Sequence, residues 1–164
     1  MKPAEFTFEY KICAPENLST PPQKLPHPIV FTNGVFDILH RGHVCFLAQA
    51  RQLGASLAVA LNTDASVRKL GKGGDRPVNT LDDRAAVIAA LAAVDIVTWF
   101  DTDTPYNLIV ACRPDILVKG GDWGVDSIVG ANDVIGWGGQ VYSLPFVYER
   151  STTATLAKIR GTKQ

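Results

Sequence analysis

The sequence predicts a single α/β domain of the doubly wound, Rossmann-like class, built on a five-stranded parallel sheet, and three observations point there. Short runs of β-branched and aromatic residues, of which residues 29–32 are the first, mark five strands. Between them apolar residues recur at helical spacing, so strand and helix signals alternate as βαβαβαβαβα, the order of a parallel sheet with right-handed crossovers. The 164 residues, 46% of them hydrophobic, are enough for one sizeable core and too few for two comfortable ones.

Each element has its own signal. Residues 1–28 carry Pro15, Pro21, Pro22, Pro26 and Pro28 without a sustained period, which reads as an extended arm ahead of a domain over 29–164. Within the arm, Phe6, Phe8, Tyr10 and Ile12 alternate like a short strand able to pack on the domain or on a neighbouring subunit. Strand one, 29–32, ends at the turn signal Asn33-Gly34, and Val44, Leu47, Ala50 and Leu53 give the inner stripe of the first helix. Residues 57–61 form strand two and 64–70 a short helix. Gly71, Gly73, Gly74 and Pro77, among Lys72, Asp75 and Arg76, then mark a polar loop able to close over a ligand. Thr80 and Asp83 give a capping box for a helix with the stripe Leu81, Ala85, Ile88, Leu91 and Ala92. Strand three covers 95–100. Thr104-Pro105 supplies a cap and first-turn proline ahead of Leu108, Ile109 and Cys112, and Pro114 stops that helix. Strand four is 116–118, followed by a glycine-containing loop over 120–130, a helix over 131–137 and strand five over 141–144. Ser151, Thr152 and Thr153 open a last helix whose inner face is Leu156 and Ile159. No internal repeat is present.

The segment after strand one carries the chemistry. Gly42-His43 falls at or just before a helix N-terminus, where free N–H groups and about half a positive charge favour a phosphate. His40 and His43, separated by Arg41-Gly42, can aim ring N–H donors at one oxyanion, and Gly42 lets the backbone come close. A lone histidine beside a helix is usually a surface or core residue; two in H-R-G-H after N-G-V-F-D are not the same case. Asp37 fits either a brace of the turn or a ligand contact.

Composition narrows the function classes. Sixteen basic residues balance sixteen acidic ones, so the chain lacks the field that drives non-specific binding to nucleic acid or anionic membrane. Cys13, Cys45 and Cys112 are odd in number and widely spaced, which argues against a disulfide framework or a structural zinc and fits a reduced cytoplasm. No stretch has the length of a signal peptide's apolar region or of a membrane span.

In a doubly wound sheet, ligands bind beyond the carboxyl ends of the strands, so the loops after strands one, four and five meet there. They hold Thr32, Asn33, Gly34, Phe36 and Asp37; Lys119, Gly121, Asp122 and Trp123; and Arg150 with Ser151, Thr152 and Thr153. The hydroxyls can donate to phosphates or simply cap the helix, and a tryptophan with glycines and a carboxylate can form a slot for a base or sugar. Asn62 and Asp64 follow strand two and can bind sugar hydroxyls, although Asp64 also suits a cap. Arg68, Lys69, Lys72 and Arg76 read first as a solvated basic face, with Lys69 or Lys72 as the candidate clamp. Arg84 can pair with neighbouring acids or reach a substrate phosphate.

The ordered set G-V-F-D-I-L-H-R-G-H, L-N-T-D-A-S-V-R-K-L, G-D-R-P-V-N-T-L-D-D-R, D-T-P-Y-N-L-I, V-K-G-G-D-W and R-S-T-T resembles the HxGH nucleotidyltransferase superfamily. The resemblance runs from Ile29 onward and lies in the cytidylyltransferase-like branch, nearest to enzymes that adenylylate heptose 1-phosphate for lipopolysaccharide. It implies transfer of AMP from ATP to heptose 1-phosphate, releasing pyrophosphate, with Mg²⁺ on the triphosphate. No sugar kinase precedes the domain, so the stand-alone form is expected. The resemblance makes His40, His43 and Lys119 catalytic and gives the nucleotide to Thr32, Asn33, Gly34, Phe36, Asp37, Gly121, Asp122, Trp123, Ser151, Thr152 and Thr153. The sugar phosphate falls to Asn62, Asp64, Lys69, Lys72 and Arg84, without a protein-held metal and in a homodimer or tetramer. Related cytidylyltransferases space their arginine further from S-T-T, so Arg150 departs from the pattern. The competing readings are a cytidylyltransferase for glycerol 3-phosphate, a non-catalytic nucleotide sensor, and an RNA-binding synthetase fragment, for which a basic face is lacking.

Overall fold

The strand signals are apolar because these strands are covered on both faces. β1 (Ile29–Gly34), β2 (Ser56–Asn62), β3 (Ile96–Phe100), β4 (Ile116–Gly120) and β5 (Gln140–Leu144) form one parallel sheet in the order β3-β2-β1-β4-β5. The structure is a computed structural model and describes residues 7–18, 25–71, 75–148 and 150–161. β2, between β1 and β3, is buried along all seven residues, as expected for the interior of a doubly wound sheet.

Side-chain alternation divides the core in two. Val30, Leu57, Val59, Leu61 and Val118 face α1 (Arg41–Gln52) and α3 (Leu81–Ala89), meeting Leu47, Ala50, Ala85 and Ile88. Phe31, Ala58, Ala60 and Leu117 face the opposite layer, meeting Leu108 and Ile109 of α4 (Tyr106–Cys112) and Ala131 and Val134 of α5 (Ala131–Gly136). α2 (Asp64–Lys69) follows β2, and α6 (Thr152–Ile159) follows β5. After β3 the chain crosses through α4 to the far side of β1, so strand order reverses there and the carboxyl ends of β1 and β4 splay apart. None of the described helices is long and apolar enough to cross a membrane.

Several local expectations differ from what forms. α1 starts at Arg41, earlier than the apolar stripe suggests, because extended His40 serves as its cap; Val44 is exposed and Phe46 takes the inner position. Thr104 does not cap α4: Pro105 does, with no side-chain bond, while the Thr104 carbonyl accepts from the Thr102 hydroxyl. α3 ends at Ala89, leaving Ala92 beyond it and exposed. Ile159 is 74% exposed and so is no part of an inner face of α6. In place of a strand over Phe8 to Ile12 there is a 3-10 turn at Glu9–Lys11, and Phe6 lies outside the described residues. Ile12 then forms an isolated parallel bridge to Val97, and Cys13 and Leu18 are buried against the sheet. Thr80 caps α3 as expected, its Oγ1 accepting from the Asp83 N–H at 3.3 Å, but the Asp83 carboxylate closes the pair by accepting from the Thr80 hydroxyl at 2.7 Å, side chain to side chain.

The turn between α1 and β2 sets how closely helix and sheet approach. A Cβ on Gly54 would stand 2.5 Å from the Pro28 carbonyl oxygen and 2.7 Å from a Val30 methyl. Gly54→Ala is therefore expected to lower the unfolding free energy by about 1–3 kcal/mol, the range for forced overpacking, measured by urea denaturation.

Candidate functional site

At the carboxyl end of β1 the backbone makes an uncommon turn. Phe36 has φ of 48°, the left-handed region that bulky residues rarely enter and that clusters at functional sites. The turn lays the Phe36 ring over Gly34, where a Cβ would meet it at 2.8 Å, and edge-on to His43 with centroids 5.1 Å apart. Gly34 is needed for that approach rather than for its own dihedral angle.

The two imidazoles are held together. His40 caps α1, its Nδ1 accepting from the His43 N–H at 3.4 Å, and the two rings stack at 3.7 Å with planes 18° apart. An accepting Nδ1 places the proton of neutral His40 on Nε2. Burial lowers the His40 pKa, only partly offset by the ring's bond to its own backbone carbonyl, so the neutral ring prevails near pH 7. A Cβ on Gly42 would be 3.1 Å from both the His40 ring and the Tyr148 carbonyl oxygen, so two chain segments close over this residue.

The second segment brings in α6. Ser151 caps α6, accepting from the Ala154 N–H at 3.1 Å, and buried Thr152 donates to the Ile38 carbonyl at 3.4 Å, tying α6 to the histidine loop. Thr153 is exposed at the same terminus. Ahead of α6, the Arg41 guanidinium lies 3.7 Å above the Tyr148 ring and donates to its hydroxyl at 2.6 Å, while Phe146 packs on Phe46 at 5.7 Å. Between these walls lies a cleft of about 460 Å³ lined by Phe36, Asp37, His40, His43, Arg76, Phe146 and residues 150–153, among others.

Asp37 organises the floor. Its carboxylate, 2% exposed as a residue, accepts from Arg76 Nε at 2.5 Å and from the N–H groups of Val78 and Asn79, and its carbonyl accepts from Asn79 Nδ2. Burial alone would raise its pKa; the bonds from Asn79, Val78 and Arg76 outweigh that and hold it below the ordinary carboxylate range. Arg84, 1% exposed, braces the same loop: Nε donates to the Asn79 carbonyl, Nη1 to that of Val35, and Nη2 to that of Asn62 and to Asp64 at 2.7 Å. Asn62 also donates to Ser66 Oγ.

The remaining candidates divide by position. Asn33, Lys119 and Trp123 line a second hollow of about 200 Å³, with Lys119 Nζ 3.4 Å from Asn33 Oδ1. Gly121, at φ of 116°, leaves room for the Trp123 indole, which a Cβ would meet at 2.8 Å and which donates to the Gly120 carbonyl. Asp122 is exposed and lines neither hollow. Thr32 is fully buried within β1, its hydroxyl unpartnered. Lys69 is exposed on the last turn of α2 and lines neither hollow, and Lys72 lies outside the described residues. The sequence reading missed Arg76 and Phe146 on the cleft. A cue for Arg76 existed: a buried Asp37 requires a cation, and G-D-R-P-V-N offers one.

The Cytidylyltransferase-like family model matches residues 31–157. The chain is 57% identical over 155 residues to the D-beta-D-heptose 1-phosphate adenylyltransferase of Bordetella bronchiseptica, spanning 93% of this chain and 96% of that one. It is 58% identical over 133 residues to the Bifunctional protein HldE of Pseudomonas savastanoi pv. phaseolicola, of whose length it spans 28%. Among solved structures, it is similar to the lipopolysaccharide core biosynthesis protein from Thermoplasma volcanium (27% identity, TM-score 0.60, 74% of this chain and 98% of that one). Pantothenate synthetase from Thermus thermophilus shares the fold at 14% identity and TM-score 0.63, over 89% of this chain and 67% of that one.

Asp37→Asn is expected to cost about 3–5 kcal/mol at neutral pH by leaving Arg76 without its buried counter-charge. The native Asp37 pKa is depressed, so its contribution is fully present above the unfolded value of about 3.9 and fades as pH falls through the native value. Denaturation of wild type and variant from pH 7 down to 3 is expected to show the difference shrinking only at the acid end.

Proposed function

The chain belongs to the cytidylyltransferase-like family, and within it we propose that it transfers the adenylyl group of ATP to a heptose 1-phosphate, giving ADP-heptose and pyrophosphate. The observation that carries this reading is the pair of stacked imidazoles facing the hydroxyl-bearing start of α6 across one cleft at the strand-order reversal. The near-full-length likeness to a protein named as a heptose 1-phosphate adenylyltransferase supports the choice of nucleotide and sugar.

In the reaction an oxygen of the sugar phosphate attacks the α-phosphorus of ATP in line, a new P–O bond forms, and the bond to the β-phosphate oxygen breaks. The nucleophile is already an anion, so catalysis rests on positioning and on donors that meet growing oxyanion charge. His40 Nε2–H and the His43 ring supply such donors on one wall; the α6 terminus, with Thr153 exposed, receives phosphate oxygens on the other. Asn33, Lys119 and Trp123, in the second hollow, hold a further part of the substrates.

Mg²⁺ enters this reading as part of the ATP substrate. Among the described residues no three His, Cys, Asp or Glu side chains group to hold a metal, and the one carboxylate on the cleft, Asp37, is engaged by Arg76, Val78 and Asn79. Mg²⁺ carried by the triphosphate would take phosphate oxygens and water as its ligands. The three free thiols support a cytoplasmic setting, and the exposed Ile135 and Tyr142 near edge strand β5 support a homo-oligomer, which a monomer mass by light scattering would remove.

Pyrophosphate release, followed with each nucleoside triphosphate and a panel of sugar 1-phosphates, is expected only with ATP and heptose 1-phosphate; turnover with CTP and glycerol 3-phosphate instead would overturn the assignment. His40→Ala and His43→Ala are each expected to lower kcat by about 10²-fold or more with the fold retained, as for other lost transition-state donors, His40→Ala also costing about 0.5–2 kcal/mol of stability through the lost α1 cap. Because the native His40 pKa is depressed, kcat is expected to stay level through neutral pH and to fall only in acid below about 6.5, as protonation of Nδ1 breaks its bond from His43.

A further inference from the structure

Two arginines among the described residues are nearly buried, and their donors are spent differently. Arg84 places Nε, Nη1 and Nη2 on three carbonyls and the Asp64 carboxylate, so its role is exhausted in bracing the chain. Arg76 is 6% exposed and lines the cleft, yet its one hydrogen bond to a described residue is from Nε to Asp37. Its Nη1 and Nη2 groups make no hydrogen bond among the described residues. Neither Nη atom is among the buried polar atoms left without a partner, so the forked end reaches the open cleft with its donors available to a ligand.

The surroundings say what that is. Asp37 offsets the charge of Arg76, so the pair adds little long-range field; what remains is a planar fork of N–H donors fixed in direction, the geometry that grips two oxygens of a phosphate. The same cleft holds the imidazoles and the start of α6, both donors to anions, and its only carboxylate among the described residues is turned to Arg76. We propose that Arg76 is a phosphate-binding residue of this cleft, held by Asp37 with its Nη fork toward a phosphoryl oxygen of the substrates. This assignment rests on the adenylyltransferase reading and adds a contact that the sequence reading placed elsewhere, on Lys69, Lys72 and Arg84.

The phosphate belongs either to the triphosphate or to the sugar, and titration calorimetry with pyrophosphate and with heptose 1-phosphate as separate probes distinguishes them. Arg76→Gln keeps a donor to Asp37 and removes the fork. It is expected to weaken binding of one of the two probes about tenfold or more, with the matching KM raised more than kcat is lowered, and Arg76→Lys to restore part of the loss. A folded Arg76→Gln protein that binds both probes as wild type does overturns the proposal. If that variant does not fold, ¹⁵N-arginine NMR of the wild type takes its place: the Arg76 Nη signals are expected to shift on saturation with the bound probe, and unmoved signals overturn the assignment. Wild type that turns over while Arg76→Gln binds normally discards the Arg76 contact alone; wild type that binds neither probe discards the enzyme reading with it.

Discussion

One buried negative charge fixes the mouth of the sheet. The Asp37 carboxylate collects donors from Arg76, Val78 and Asn79, and so joins the turn after β1 to a segment about forty residues later that approaches α3. A carboxylate this deep is tolerable only with its oxygens fully engaged. The requirement works in both directions: the donors have to stand where Asp37 is, and the turn carrying His40 has to stand where the donors are. Arg84 repeats the device with the signs exchanged, a buried cation gathering carbonyls from the turn after β1, from the end of β2 and from the entry to α3.

Around that fixed turn the chain separates two tasks. The cleft with His40, His43 and the start of α6 presents donors and suits anionic oxygen; the hollow with Asn33, Lys119 and Trp123 offers an aromatic surface with one amide and one ammonium. Asn33, in β1, lines the hollow, and Val35, Phe36 and Asp37 just after it line the cleft. In-line phosphoryl chemistry with an anionic nucleophile needs this kind of arrangement, rigid donors at the reacting phosphorus and a separate grip on the rest of the substrate, more than it needs a strong base.

Much of the fold is readable in the residues. Continuous apolar runs such as 57–61, alternating with helical stripes, suit the interior of a parallel sheet, and the caps at Thr80 and Ser151 follow from hydroxyls meeting free N–H groups. The histidine pair is readable because H-R-G-H puts both rings at one helix start. Arginine roles are less so: Arg76 and Arg84 look alike in sequence, and what distinguishes them is how many acceptors each meets in space. Ile159 deceives because helical spacing says which residues share a face but not whether anything lies opposite it. Thr104 loses to Pro105 because its own carbonyl is drawn into a turn by Thr102. The left-handed Phe36 leaves no mark at all, since Asn or Gly would be the ordinary choice there.

The clasp between Arg41 and Tyr148 bears on how molecules get in. With the guanidinium seated on the phenol ring, Phe146 against Phe46 and Thr152 bonded to Ile38, the start of α6 is riveted to the start of α1. The imidazole wall and the hydroxyl wall are thus positioned by one set of contacts. For these two walls, tied before any ligand arrives, less ordering entropy is left to be lost on binding.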